Sequence, residues 1–291
     1  MSGTLLQASA LFLLGALTSL VATRMSMPLA LRLGAVDQPN PDVSTHVRPT
    51  PLLGGLGMIA GTLAALGSVA AEPELLICGG FLLLLALALY KDISRRDVFP
   101  VFQMLVQFGA CVAVVIGLDD ERRLGPMTTL LVAIPGVALI NAVNFLDVMD
   151  GLCASVALII GLGFWLVASH PAGMALSAGC LGFLFWNRPR ARVFMGDAGS
   201  FFIALLLFAL GVQTLLVRPS AWAPVTLLYV VPLGELAFTC AVRLARGRGV
   251  MSGDDSHASL LLLNSGTRGP EVVALFASMA ALCTGAALLL D

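Results

Sequence analysis

The sequence predicts an all-α, polytopic integral membrane protein of about ten transmembrane helices, and three observations carry that prediction. Of 291 residues, 58% are hydrophobic and 11% charged, with a mean hydropathy of +0.97. That is too little polar surface for a soluble globule of this length. The apolar residues fall in long runs without strand alternation, so helices are the spanning form that satisfies its own backbone in lipid. The basic residues are also sorted between alternate loops, as the positive-inside rule requires.

In chain order the runs cover roughly 4–23, 52–71, 75–90, 99–118, 127–141, 152–169, 171–186, 199–217, 221–242 and 270–289, against about 20 apolar residues per crossing. The fifth and seventh are short. The first resembles a signal peptide, but nine more runs follow and no small-residue cleavage site precedes a polar start, so an uncleaved helix is expected. With the N-terminus outside, the inside loops carry Arg24, Arg32, Arg48, Lys91, Arg95, Arg96, Arg188, Arg190, Arg192, Arg243, Arg246, Arg248 and Arg268. Only Arg122, Arg123 and Arg218 remain outside. No internal repeat, low-complexity tract or soluble domain interrupts 1–291, which reads as a single transmembrane domain. The six cysteines form no CxxC pair and read as small core hydrophobes. A net charge of −1 gives no reason to expect a nucleic-acid partner.

The candidate chemistry gathers in the inside loops. Asn141, Asn144, Asp147 and Asp150 recur every three residues before Gly151, which on a helical turn keeps four polar groups near one face. Capping of the next helix is the plainer reading for any one of them. In Phe194 to Ser200, Gly196 and Gly199 flank Asp197, and Ser200 can cap the following helix. A helix N-terminus there would offer backbone donors to phosphate, with Asp197 available to a divalent cation; a simple N-cap is the alternative. The first inside loop holds Asp37, Pro39, His46, Arg48, Pro49, Pro51, Gly54 and Gly55, either a rigid connector or a binding loop. The last holds Arg243, Arg246, Arg248, Asp254, Asp255, His257 and Ser259. Its basic cluster suits anionic headgroups, a pyrophosphate, or topology signalling alone. Glu235, inside the ninth run, must face protein or water, with a salt bridge to a neighbouring helix as the plain reading. Asp119-Asp120 has the look of a catalytic diacid, but the topology places it outside.

Together these residues resemble the polyprenyl-phosphate N-acetylhexosamine-1-phosphate transferases, which include the phospho-MurNAc-pentapeptide translocases. The resemblance runs in order through Asp37-x-Pro39, His46, Pro49-x-Pro51, Gly54-Gly55, Asp92, Asn141-x-x-Asn144-x-x-Asp147-x-x-Asp150-Gly151, Phe194-x-Gly196-Asp197-x-Gly199-Ser200 and His257. It implies ten or so helices in a bacterial inner membrane and a cytoplasm-facing site that depends on Mg²⁺ and also admits Mn²⁺. The implied reaction moves a sugar-1-phosphate from a UDP-sugar to undecaprenyl or another polyprenyl phosphate and releases UMP. By matching positions, Asn144 and Asp197 would hold the metal. Asp92, Asp147 and Asp197 would form the catalytic group, joined by Lys91, which stands where the family has aspartate. Asn141, Asp150, Phe194, His46, Arg48, Arg246, Arg248 and His257 would bind substrate, with Phe194 stacking on uracil and Asp150 hydrogen-bonding it. A homodimer is compatible with the family.

The chain also departs from the pattern. The family's paired aspartates read Lys91-Asp92, and a lysine expected about ten residues later is replaced in the stretch Val101-Phe102-Gln103. Leu260 and Leu261 stand for further His or Arg, Ser44-Thr45 for a basic residue, and Val148 for glycine. Either charge has been relocated to Lys91, with Asp92 the remaining acidic partner, or the site has become a non-catalytic binder of lipid phosphate or nucleotide sugar. A transporter is the third class. Against it, the polar residues gather at one membrane face and not at the midplane.

Overall fold

The computed structural model describes residues 2–39, 49–67, 75–251 and 254–291. His46 and Arg48 lie outside the described residues. Among the described residues the structure is all-α apart from one pair of two-residue strands. In order come α1 (Ser2–Leu33), β1 (Val36–Asp37), β2 (Thr50–Pro51), α2 (Gly54–Leu66), α3 (Leu75–Ser94), α4 (Pro100–Leu118), α5 (Pro126–Leu146), α6 (Leu152–Ala168), α7 (Pro171–Asn187), α8 (Gly196–Val217), α9 (Trp222–Ala245), the short α10 (Ala258–Asn264) and α11 (Gly269–Leu290).

Each of the ten expected runs forms a helix, but among the described residues seven helices are long and apolar enough to cross a membrane. The others are α2, α6 and α7. The second run was counted to residue 71, yet α2 stops at Leu66 with Gly67 as its C-cap. Thirteen residues rise only about 20 Å, short of a hydrocarbon core of about 30 Å. Polar positions extend other helices beyond their apolar runs: α1 continues to Leu33 and α5 to Leu146.

Helix α8 is the axis of the bundle: 72% of its apolar window is buried, against 28–44% for the other six spans. Helices α2, α3, α4 and α5 pack on it, α1 and α7 flank α2, and α9 and α11 close the far side. Small residues permit the tightest approaches. A Cβ at Gly57 would lie 2.2 Å from the Thr23 backbone nitrogen, so α1 and α2 touch backbone to backbone there. Leu17, Leu82, Leu105, Leu131 and Leu282 point outward, exposed, which suits lipid and would be costly in water.

Alternating helix direction sends the candidate loops to one end. There β1 pairs antiparallel with β2, and Asp37 forms an ion pair with Arg95 just after α3. At the opposite end, Arg123 donates to the Leu216 carbonyl at 3.0 Å and Arg218 pairs with Asp291. Asp119 belongs to that end, its carboxylate accepting the backbone N–H of Arg123 and Leu124. The diacid is a loop cap remote from the candidate site.

Candidate functional site

The site is organised by the start of α8. Gly196 enters the helix with φ +72°, in the left-handed region where glycine has no steric cost. A Cβ there would lie 2.5 Å from the Leu52 carbonyl oxygen and 2.7 Å from Asp92 Oδ2. The bare backbone lets Asp92, near the end of α3, seat its carboxylate on the helix. Oδ1 accepts the Asp197 N–H and Oδ2 the Ala198 N–H, both at 3.0 Å. The expectation that these amides serve a phosphate, with Ser200 as the cap, is therefore corrected. A carboxylate from another helix satisfies them, and Ser200 lies inside α8. The preceding segment is held just as firmly. The Phe194 N–H donates to the Pro51 carbonyl at 2.8 Å, and the Phe194 carbonyl accepts the Gly54 N–H at 3.0 Å.

Asp197 then projects between two donors. Asn144 Nδ2 donates to its Oδ1 at 2.9 Å and to Ser200 Oγ at 3.1 Å. Lys91 Nζ pairs with Oδ2 and lies 5.4 Å from the centroid of the Phe201 ring. Neighbours in sequence thus do different work: Asp92 fixes the helix and Lys91 neutralises the carboxylate it presents. The expected four-residue polar face divides. Helix α5 ends at Leu146, with Asp147 as its C-cap, so the three-residue spacing no longer maps onto one helical face. Asn141 turns to α4 and donates to Gln107 Oε1 at 2.9 Å and to the Val137 carbonyl at 2.8 Å. Asp150 Oδ2 accepts the Ala191 N–H at 2.9 Å. Asn187, which sequence reasoning missed, ties these loops together: its Oδ1 accepts the Gly151 N–H and its Nδ2 donates to the Val193 carbonyl, both at 2.9 Å.

Two cavities meet here. A polar one of about 620 Å³ is lined by Asp92, Asn144, Asp147, Asp150, Phe194 and Asp197, among others. An apolar one of about 1030 Å³ runs between α4, α5 and α9, past Gln103, Leu105, Phe108, Ile134, Val137 and Leu236. Lys91, Asp97, Asn144, Val148 and His257 line both. Arg246 and Arg248 line neither. They pair with Asp255 and Asp254 in their own loop, an alternative their clustering in the sequence did not reveal. Hydrogen bonds from Ser256, Arg243 and Arg248 hold Asp254 well below the usual carboxylate range, against desolvation that raises it. Leu260 lines the polar cavity. So do Arg95 and Arg96, two cations whose position after α3 looked in sequence like ordinary topology signalling.

The polar cavity is strongly acidic. Asp37, Asp92, Asp97, Asp147, Asp150, Asp197 and Asp254 face Lys91, Arg95 and Arg96. Burial, followed by the charges of Asp197, Asp92 and Asp150, pushes Asp147 well above the ordinary carboxylate value. A cavity with this balance repels a phosphate unless a cation enters with it. Among the described residues no cluster of three His, Cys, Asp or Glu forms a closed metal cage. Magnesium rarely uses one, taking one or two carboxylates plus water and substrate phosphate oxygens. Asp197 and Asp147 are carboxylates that could serve such an ion, with the Asn144 carbonyl joining them on rotation of an amide whose NH₂ here donates to Asp197 and Ser200.

Comparison with known proteins places the chain in a family. Residues 74–215 match the model for glycosyl transferase family 4. A decaprenyl-phosphate N-acetylglucosaminephosphotransferase of Mycolicibacterium smegmatis (strain ATCC 700084 / mc(2)155) is 30% identical over 306 aligned positions, covering 87% of this chain and 75% of that protein. The chain belongs to glycosyl transferase family 4. Other relatives include a probable undecaprenyl-phosphate N-acetylglucosaminyl 1-phosphate transferase of Bacillus subtilis (strain 168), 29% identical over 84% of this chain and 74% of its own. An undecaprenyl-phosphate alpha-N-acetylglucosaminyl 1-phosphate transferase of Salmonella typhi is 28% identical over 90% of this chain and 78% of its own.

Proposed function

We propose that this family-4 protein transfers a sugar-1-phosphate, an N-acetylhexosamine-1-phosphate, from a UDP-sugar to a polyprenyl phosphate such as undecaprenyl phosphate. The observation that carries the reading is the junction of an acidic polar cavity with a long apolar one through Lys91, Asn144 and His257. One substrate of such a reaction is a soluble nucleotide and the other a lipid, and they must meet at their phosphates. The relatives' names, all polyprenyl-phosphate sugar-phosphate transferases, support the same chemistry.

In this reading the nucleotide sugar occupies the polar cavity, with Phe194 against the base and Asp150 within reach of its edge. The prenyl chain follows α4, α5 and α9, bringing its phosphate to the shared wall. A lipid phosphate oxygen attacks the phosphorus bearing the sugar. The bond from that phosphorus to the bridging oxygen breaks, and UMP leaves with the electron pair. Lys91 and His257 orient the incoming phosphate, while Asp92 acts through α8 by fixing Asp197. Asp197, Asn144 and Asp147 would hold Mg²⁺, or Mn²⁺ in its place, which supplies charge neutralisation on the diphosphate. The motif end of the bundle faces the cytoplasm of a bacterial plasma membrane. The helices of all ten apolar runs cross it, and a homodimer is compatible with the lipid-facing surface.

A binding-only homologue is the second reading, favoured by the Lys91–Asp197 pair and by Leu260 in the polar wall. Purified protein in nanodiscs, given Mg²⁺, undecaprenyl phosphate and a panel of UDP-sugars, separates the two. UMP release that needs lipid, metal and Asp197, tested with Asp197→Asn, is the expected result. Retained UDP-sugar binding without release would favour the second reading. Substrate flux in proteoliposomes without UMP release would favour a transporter.

A further inference from the structure

One buried carboxylate has no part in the chemistry above. Glu235 lies on α9, one turn beyond Pro232, and its side chain is fully enclosed. Its Oε1 accepts the Ala258 N–H at 3.0 Å and lies 3.5 Å from His257 Nδ1. The salt bridge to a neighbouring helix that the sequence suggested takes the form of this contact with His257 at the N-cap of α10, ionic only when the imidazole is protonated. Capping the chain at Ala258 does not by itself account for a carboxylate, since a neutral amide would cap at a lower desolvation cost. Among the described residues, Glu235 Oε2, His257 Nδ1, Thr239 Oγ1 and Ser259 Oγ are buried without hydrogen-bond partners. An enclosed acceptor beside an enclosed ring nitrogen is a pair a small rotation joins.

We propose that Glu235 is the positioning residue for His257. Its carboxylate accepts a hydrogen bond from Nδ1–H and thereby aims the opposite ring edge, carrying Nε2, at the wall shared by the two cavities. His257 lines both cavities although only 5% exposed, so nearly all of its ring is fixed by neighbours. Phe145 meets it edge-on at 5.1 Å and 78°, and Arg243, 4.9 Å from the centroid of the Phe145 ring, is engaged by Asp254. Among the described residues, the ion-pair contact that reaches the His257 ring is that of Glu235, 3.5 Å from Nδ1. A carboxylate on one imidazole nitrogen sets the tautomer and the direction of the other. At this wall the other nitrogen faces a phosphate oxygen, which rests on the transferase reading; the Glu235–His257 geometry does not.

The test is ¹⁵N-histidine NMR of the protein in nanodiscs. The chain has three histidines, and His257→Asn identifies the relevant signals. The wild type should show His257 protonated at Nδ1, with a strongly hydrogen-bonded, downfield N–H proton. Glu235→Leu should move the neutral ring to the Nε2–H form. Glu235→Gln, which retains a carbonyl for Ala258 and folds more safely, should shift the Nδ1 proton upfield. A bare Nδ1 in the wild type, or Nδ1 signals unchanged in Glu235→Gln, overturns the proposal. Where turnover is measurable, Glu235→Gln should lower it roughly 10- to 100-fold, and should cost nothing further in a His257→Asn background. Additive losses would also overturn it. Absence of transferase activity in the wild type would sink only the functional reading, because the NMR arm needs no substrate.

Discussion

Replacing Asp92 tests whether the site is built by its own helix start. The carboxylate holds two backbone N–H groups of α8, each at 3.0 Å, from a side chain on a residue only 5% exposed. A hydrogen bond is worth about 1 kcal/mol between neutral groups and about 1.5–3 kcal/mol where one partner is charged. Asp92→Asn keeps one oxygen but turns an NH₂ against the second amide, a loss of about 2 kcal/mol. Asp92→Ala leaves both amides buried and unpaired, at about 4 kcal/mol. At about 2–4 °C per kcal/mol for chains of comparable size, the asparagine variant should unfold about 5 °C early and the alanine variant about 10 °C or more. Thermal unfolding in nanodiscs, read beside UMP release, measures both. Turnover should fall with the order of α8 and be partly recovered on cooling. Asp92→Asn that unfolds at the wild-type temperature yet has lost turnover more than 100-fold would refute the reasoning, because the carboxylate would then be acting on substrate.

Two other perturbations probe neighbouring parts. Asp147 is held well above the ordinary carboxylate value by burial and by Asp197, Asp92 and Asp150, so the folded protein retains a proton that the unfolded chain releases. Its ionisation therefore costs nothing below the unfolded value and destabilises increasingly as pH rises through the folded one. In EDTA, Asp147→Asn should raise the melting temperature at pH 8 and leave it unchanged at pH 3; equal shifts at both would contradict the charge argument. Gly196→Ala should lose about 1–2 kcal/mol from the left-handed backbone alone, and more because its Cβ meets Leu52 and Asp92. A variant as stable and active as the wild type would show that the close approach is not needed.

The sequence by itself determined the fold class, the ten helical segments and the gathering of the polar motifs at one end. Those follow from hydropathy, loop charge and alternating helix direction, all local or additive along the chain. Asn144, Asp147, Asp150, Phe194 and Asp197 were legible because their spacing and glycine flanks mark them out, and all line one cavity. What each side chain touches was decided only by tertiary packing. Asp92 caps a helix 105 residues away in sequence, Asn141 turns from the polar face to Gln107 across 34 residues, and Arg246 and Arg248 find acids in their own loop. Asn187 and Glu235 had no sequence signal beyond being polar at the end of, or within, an apolar helix. Their partners are backbone groups on other elements, and backbone groups look the same in every sequence. Hydrophobicity chooses where a chain lies relative to lipid, but the direction of a buried hydrogen bond is fixed only when the helices close on one another and leave each donor a single acceptor within reach.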